Sequence, residues 1–122
     1  MIKNTIKNGM HRNSVVYLGT IESRFDIELV EFLANSNPTK HFTFIGPVWK
    51  KQKARFDKLL TMNNVTYKGE LPFNGVVEKL LPTFDAGIIP HHQSRFAQSN
   101  DPLKIYDYLR AGLPVISTIP TA

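Results

Sequence analysis

Residues 99–118, SNDPLKIYDYLRAGLPVIST, carry the clearest structural signal in this sequence. Three side chains that can cap a helix come first: Ser99, Asn100 and Asp101. Pro102 suits the first helical position, where a missing N–H costs nothing, and Gly112 is a typical stop signal. The apolar pair at 115–116 then indicates a short buried strand. The segment therefore predicts a helix followed by a strand.

The start of this helix is a candidate anion site. Backbone N–H groups and the positive end of the helix dipole gather there, which favours phosphate. Lys104 lies in the first turn, where the dipole disfavours a cation by up to roughly 1 kcal/mol, and a bound anion would offset that cost. An exposed Lys104 paired with Asp101 or Asp107 explains the sequence equally well. Asp107 is either a solvated residue or an acceptor for ligand hydroxyls.

The rest of the chain alternates between short apolar runs and helical patterns. Strands are predicted at 15–18, 42–45, 65–67 and 86–89, and helices at 25–34, 50–60 and 73–81. The helix at 25–34 takes its apolar face from Phe25, Leu29, Phe32 and Leu33. With the final helix and strand, five strands alternate with four helices, which is typical of an α/β fold with a doubly wound parallel sheet.

The same pattern sets the expected domain limits. Residues 1–13 are polar and basic without periodicity and are interpreted as a linker or tail. Residues 14–122 form the predicted domain. Because the sequence stops just after a strand, we expect this domain to be incomplete at its end.

Composition narrows the function classes. The 122 residues include 15 Lys and Arg against 10 Asp and Glu, and the net charge of +5 favours anionic partners. Nucleic acid is disfavoured, because the basic residues are not interleaved with aromatic ones. The absence of cysteine excludes disulfides and thiolate metal sites and favours a cytoplasmic location. No apolar run approaches the roughly 20 residues that span a bilayer.

The sequence lacks the motifs of several common enzyme and binding-site classes. No Gly-x-Gly-x-x-Gly follows the first strand and no Gly-Lys-Ser/Thr occurs, which disfavours dinucleotide dehydrogenases and P-loop NTPases. His91 and His92 are adjacent, so they lack the helical spacing of a metal pair, and they are interpreted as solvated loop residues or ligand contacts. No nucleophile elbow supports a Ser/His/Asp triad. No acidic pair ends the first strand, so a phosphoacceptor receiver domain is also disfavoured.

Ligands of doubly wound sheets bind outside the carboxyl ends of the strands. The candidate binding segments are therefore 19–24, 46–49, 69–73 and 90–99, together with the helix cap at 100–103. The connection at 90–100 is longer than the about 2–6 residues that simple connectivity needs, which marks it as a binding loop.

Five segments resemble the C-terminal half of retaining glycosyltransferases with the GT-B fold, in the family's order and spacing. They are YLGTIESRFD at 17–26, FTFIGP at 42–47, NVTYKG at 64–69, FDAGIIP at 84–90 and DPLKIYDYLRAGLPV at 101–115. The resemblance covers residues 14–119, and the last segment is the most specific. It implies a Rossmann-like domain that binds a nucleotide-sugar donor, UDP- or GDP-linked, and transfers a sugar to an acceptor held by a missing N-terminal lobe.

The resemblance also implies roles for individual residues. The family's acid that binds the ribose falls on Asp107, and the acid that faces the sugar falls on Ser99, so Asn100 or Asp101 would substitute there. Phosphate would bind at 100–103, including Leu103. The family's basic pair that neutralises the diphosphate, one residue after the first strand and one after the second, would be Arg24 and one of Lys50, Lys51 or Lys53. Lys104 would add charge at the helix cap. Main chain at Gly19, Gly46, Gly69 and Leu71 would contact the nucleotide.

By resemblance the reaction needs no metal and no further cofactor, because the helix end and basic side chains stabilise the leaving diphosphate. The full-length protein would act in polysaccharide or glycoconjugate biosynthesis, in the cytoplasm or at the inner face of the membrane, and this chain alone would be inactive. Two other interpretations stay open: an epimerase acting on a nucleotide sugar with the same fold, and a non-catalytic α/β regulatory or scaffolding module.

Overall fold

The computed structural model describes residues 13–72, 77–92 and 103–117, and describes 103–106 by their backbone only. Its strands are β1 Ser14–Leu18, β2 His41–Ile45, β3 Val65–Tyr67, β4 Ala86–Ile89 and β5 Val115–Ser117. Its α-helices are α1 Ile27–Ser36, α2 Lys53–Leu59, α3 Glu78–Leu80 and α4 Leu103–Arg110. Two short 3₁₀ helices, Lys50–Gln52 and Leu81–Thr83, flank α2 and α3. The predicted order of strands and helices is confirmed.

The five strands form one sheet in the order β3-β2-β1-β4-β5, and every pairing is parallel. The chain winds from β1 outward to β3, then crosses to the other side of β1 for β4 and β5. This reversal creates a topological switch point between β1 and β4, and it confirms the predicted doubly wound sheet.

Helices cover both faces of the sheet, because alternate strand residues point to opposite sides. Val15 and Tyr17 belong to a core cluster with Val30 of α1 and Phe56 of α2. Val16 belongs to a second cluster that contains residues of the α3 and α4 regions: Val77, Leu81 and Tyr108. This burial on two sides explains the continuous apolar runs of β1, β2 and β4. The predicted burial of the strand at 115–116 is wrong, because β5 lies at the edge of the sheet and Ile116 is 59% exposed.

Helix α1 corrects one prediction. The helix begins at Ile27, where the Asp26 side chain caps it by accepting a hydrogen bond from the Leu29 N–H. Phe25 lies before the helix and pairs through its backbone with His91. The buried face consists of Ile27, Val30 and Ala34, whereas Phe32 is 64% exposed. Of the predicted apolar face, Leu33 packs against the core and Phe32 does not, whereas Phe25 reaches the core from outside the helix.

The helix predicted at 50–60 is divided in the structure. The pattern at 50–60 becomes a 3₁₀ turn followed by α2, with Phe56 and Leu59 buried. Residues 73–76 of the helix predicted at 73–81 lie outside the described residues, and the rest contains α3, which passes into a 3₁₀ turn containing Pro82. No helix in the described ranges is long and apolar enough to cross a membrane.

Candidate functional site at the carboxyl edge of the sheet

The first three strands meet closely at their carboxyl ends. The Gly19 N–H donates to the Ile45 carbonyl and the Gly46 N–H donates to the Gly69 carbonyl, each at 2.9 Å. Gly46 has φ +141°, and a Cβ there would lie 2.0 Å from the Gly19 carbonyl oxygen. Only glycine fits such an approach without displacing the backbone. This half of the edge is therefore closed by main-chain contacts.

The β1–β4 half of the edge is built differently. β1 and β4 share only two registered pairs, Val15 with Ala86 and Val16 with Gly87, and neither strand ends there. The hydroxyl of Tyr108, from α4, lies beyond them. It accepts from the Leu18 N–H at 2.9 Å and donates to the Ile88 carbonyl at 2.9 Å. A side chain thus joins the two strands at the switch point.

Tyr108 is fully buried. Burial raises the pKa of its phenol, which keeps the hydroxyl protonated and able to donate to the Ile88 carbonyl at neutral pH. Its ring lies against Gly87, where a Cβ would come within 2.5 Å of the ring carbons. The glycine inside β4 therefore makes room for the tyrosine.

The loop after β1 carries an ion pair. The Arg24 side chain donates from Nε to both Glu22 carboxylate oxygens, at 2.9 and 2.8 Å, and from Nη2 to Oε2. The Arg24 backbone N–H also donates to Glu22. The Glu22 side chain is 9% exposed and that of Arg24 is 36% exposed. The hydrogen bonds from Arg24 lower the pKa of Glu22 despite its burial.

The same loop is tied to the segment that leaves β4. The Asp26 N–H donates to the Pro90 carbonyl at 2.8 Å, and the His92 N–H donates to the Arg24 carbonyl at 2.7 Å. His92 Nδ1 lies 3.5 Å from an Asp26 carboxylate oxygen. These contacts join the β1 and β4 loops across the switch point.

His91 is buried rather than solvated, which corrects one of the two interpretations of the histidine pair. Its Nε2 lies 3.2 Å from the Tyr17 hydroxyl, which lies 2.9 Å from the Thr20 carbonyl and donates to it. The two rings also make an edge contact. Among the described residues, no group of three or more acidic or histidine side chains could hold a metal ion.

No family model matches the chain. The chain is 30% identical over 102 residues to TuaH of Bacillus subtilis (strain 168), which is provisionally named a teichuronic acid biosynthesis glycosyltransferase. That match covers 84% of the chain and 25% of TuaH, so the chain spans about a quarter of the length of this relative.

Two solved structures share the fold. The pneumococcal O-GlcNAc transferase GtfA, in complex with UDP and GlcNAc, matches with a TM-score of 0.62 at 13% identity, over 93% of this chain and 22% of GtfA. Anabaena Alr3699/HepE, in complex with UDP and glucose, matches with a TM-score of 0.56 at 19% identity, over 87% of this chain and 30% of HepE. The chain has the fold of a GT-B glycosyltransferase domain. The predicted resemblance to this fold is thereby confirmed.

In this GT-B domain, Gly19, Gly46 and Gly69 lie together at the carboxyl edge, joined by the hydrogen bonds described above. Leu71 is half-buried and packs against the second core cluster. Ser99, Asn100 and Asp101 lie outside the described residues. Leu103 and Lys104 form the first two residues of α4, of which the structure describes the backbone.

Asp107 lies in the second turn of α4, and its side chain is 22% exposed. One carboxylate oxygen lies 3.5 Å from Arg110 Nη1. Asp107 also lines an open cavity of about 140 Å³ between α4 and the α3 region, together with Glu78, Leu81, Pro82, Arg110 and Ala111. The carboxylate is therefore accessible from the side of the domain that α3 and α4 cover.

The basic candidates after β2 differ in their surroundings. Lys50 and Lys51 are exposed, whereas Lys53 forms an ion pair with Asp57 at 3.0 Å. Sequence reasoning missed Glu22 and Tyr108. Nothing in the spacing marks Glu22 as a partner of Arg24, but the glycine within the β4 run was a usable signal, since glycine inside a strand often marks a close approach.

Proposed function

We propose that this chain is the donor-binding domain of a glycosyltransferase that transfers a sugar from a UDP- or GDP-linked donor to an acceptor. The observation that carries the proposal is the switch point at the carboxyl edge, where the registered pairing of β1 with β4 stops after two pairs and Tyr108 of α4 bridges the two strands. Doubly wound sheets bind nucleotides at this place. The similarity to TuaH and the UDP complexes of GtfA and HepE support the choice of a nucleotide sugar.

In this proposal α4 contributes to the site at two points. Its N-terminal end at Leu103 would direct backbone N–H groups and the positive end of the dipole at the diphosphate, and Lys104 would add a full charge. Residues 100–102, which the resemblance also assigns to the phosphates, lie outside the described residues. Asp107, one turn further along, accepts hydrogen bonds from the ribose hydroxyls. Its partial exposure leaves the carboxylate reachable.

The chemical step follows from where charge develops. When the bond between the sugar and the diphosphate breaks, negative charge accumulates on the leaving phosphate oxygens. Fixed donors at that position stabilise the transition state more than the ground state, which lowers the barrier. Lys104 and Arg24 are the side chains proposed for this role.

Arg24 reaches the site with its charge partly offset. Glu22 holds the guanidinium through Nε and Nη2, so the pair is pre-oriented at the end of β1. The ion pair reduces the attraction of Arg24 for a second anion, because the Glu22 carboxylate is hydrogen-bonded directly to the guanidinium and offsets its charge. We therefore assign the larger share of diphosphate binding to the α4 end and Lys104, and a positioning share to Arg24.

The complete enzyme would join this domain to an N-terminal lobe that binds the acceptor. By resemblance it would retain the configuration of the sugar and work in the cytoplasm, with peripheral contact with the membrane when the acceptor is lipid-linked. The 122-residue chain by itself would bind donor without transferring the sugar.

Calorimetric titration with UDP, GDP and their sugars tests the proposal. We expect one nucleotide family to bind below millimolar concentration and Lys104→Ala to weaken that binding about ten-fold, the effect of losing one charge-assisted contact. Lys58→Ala is the matched control, because Lys58 is an exposed lysine on α2, whose buried residues pack on the other face of the sheet. If no nucleotide binds below millimolar and Lys104→Ala changes nothing, the proposal is wrong.

A further inference from the structure

The register of the sheet shows what the Tyr108 hydroxyl replaces. In a parallel ladder, the N–H of one residue bonds to the carbonyl of the residue just before its opposite partner. The β1–β2 side obeys this rule, since Leu18 lies opposite Ile45 and the next N–H, of Gly19, bonds to the Ile45 carbonyl. The same rule can be applied to β1 and β4.

Val16 lies opposite Gly87, so an unbroken register would place Leu18 opposite Ile89. The Leu18 N–H would then bond directly to the Ile88 carbonyl. In the structure this N–H instead donates to the Tyr108 hydroxyl, and the hydroxyl donates to that same carbonyl. One oxygen atom is thus inserted into a single rung of the ladder.

The inserted hydroxyl has two effects: it spaces the ends of β1 and β4, and it attaches α4 to both strands. Two hydrogen bonds of 2.9 Å in series replace one, so the ends of β1 and β4 are held further apart than a ladder would hold them. The Tyr108 ring packs directly against the backbone of Gly87, where no Cβ would fit. This contact helps to hold the phenol in position. Tyr108 also follows Asp107 directly on α4, a helix of only eight residues.

We propose that Tyr108 is a positioning residue for the nucleotide, which sets the width of the β1–β4 crevice and holds α4 in place above it. This inference rests on the proposed donor-binding function. Without the hydroxyl, α4 keeps its apolar contacts but loses its tie to both strand ends. The distance between the Gly19 loop and the start of α4 is then no longer fixed. A diphosphate that contacts both of them therefore binds less tightly.

The test compares Tyr108→Phe with Phe56→Leu in the same protein. Both changes affect a fully buried aromatic residue, but Phe56 lies on α2 in the cluster on the opposite face. At a temperature well below both unfolding transitions, we expect Tyr108→Phe to raise the Kd for whichever of UDP and GDP binds by about ten-fold, and Phe56→Leu to leave it within about two-fold. Amide exchange at Leu18 should accelerate in Tyr108→Phe alone.

The outcomes separate the inference from the function on which it rests. If the unaltered chain binds neither nucleotide, the proposed function fails and this role for Tyr108 fails with it. If the unaltered chain binds and Tyr108→Phe binds equally well, only the positioning role is overturned. Should Tyr108→Phe not fold, Gly87→Ala displaces the same ring from the strand side, and an unchanged Kd in that variant overturns the role.

Discussion

Strand β1 has two neighbours and pairs with them to different extents. Five residue pairs join it to β2, and the contact continues past the strand ends through the glycines at 19, 46 and 69. Two pairs join it to β4, after which the phenol of Tyr108 takes over. The first side is joined mainly by backbone contacts between glycines, with one hydrogen bond from the Tyr67 hydroxyl to the Gly46 carbonyl. On the other side Tyr108 bridges the two strands, and backbone hydrogen bonds join the loops that follow them.

In the proposed function, this difference confines the nucleotide site to one part of a uniform parallel sheet. Wherever backbone pairing continues, N–H and carbonyl groups satisfy each other and leave no space for a ligand. Where the pairing stops, a polar side chain must satisfy the same groups, because leaving them unpaired in the interior is costly. The four predictions that follow test the two sides of β1 and the contacts around them.

Gly46→Ala should have the largest effect. The alanine Cβ would lie 2.0 Å from the Gly19 carbonyl oxygen, and the φ of +141° at this position is one that residues with a side chain rarely adopt. The substitution therefore introduces both a steric clash and backbone strain. We expect the free energy of unfolding, measured by urea denaturation, to fall by more than about 3 kcal/mol. Gly69→Ala is the control, because its φ is +82° but its Cβ would meet no atom within 4 Å. It should cost about 1–2 kcal/mol, and equal losses would contradict the close approach.

Tyr108→Phe should have the next largest effect on stability. It removes two hydrogen bonds and leaves the Leu18 N–H and the Ile88 carbonyl without their partner. We expect urea denaturation to show a loss of about 2 kcal/mol. Tyr67→Phe, on the closed side, removes one hydrogen bond from a half-buried hydroxyl to the Gly46 carbonyl. Its loss should be about 1 kcal/mol or less; a larger loss there would reverse the comparison.

The Glu22–Arg24 pair should make stability depend on pH. The pKa of Glu22 is lowered in the folded state, mainly by the hydrogen bond from Arg24. The stabilisation that ionised Glu22 contributes to the folded state is therefore fully present above the unfolded pKa of about 4.5. It is lost as the pH falls through the lower pKa of Glu22 in the folded state. When the pH is lowered from 7 to 3.5, the free energy of unfolding measured by urea denaturation should fall by about 0.5–1 kcal/mol less in Glu22→Gln than in the unaltered chain. Identical losses would show that the pair contributes nothing.

Lys53→Ala should change stability least. The Lys53–Asp57 pair is separated by one helical turn, and its side chains are 66% and 53% exposed. Solvent screens such pairs, so we expect a change below about 0.5 kcal/mol in urea denaturation, independent of added salt within that range. A loss above 1 kcal/mol would mean that the start of α2 supports the closed edge more than its exposure indicates.

The sheet was predictable from sequence because β1, β2 and β4 are buried on both faces and read as continuous apolar runs. Residues 65–67, although only three, were placed correctly because Gly69 marks the end of that run. Helix α1 was misaligned because Phe25 is apolar yet pairs with His91 before the helix begins. Periodicity identifies a helix but cannot show which apolar residue lies outside it.

The site was less accessible to sequence reasoning. Glycine-ended strands indicated the carboxyl edge, because such turns carry a local signature. The Glu22–Arg24 pair depends on how one loop folds on itself, and the Tyr108 bridge depends on three segments meeting in space. Neither arrangement has a fixed spacing in the chain. The roles assigned to Lys104 and Asp107 remain predictions of the resemblance.

Mapping nucleotide binding by NMR on the ¹⁵N-labelled chain tests the central claim most directly. Titration with UDP, or with GDP if that is the nucleotide bound, should shift the amides of Gly19, Arg24 and the first half of α4. Amides at the far end of the sheet, such as Ser14 and Ala86, should stay unchanged. Shifts confined to the outer faces of α1 and α2, or no shifts at millimolar nucleotide, would contradict a donor site at the β1–β4 switch point.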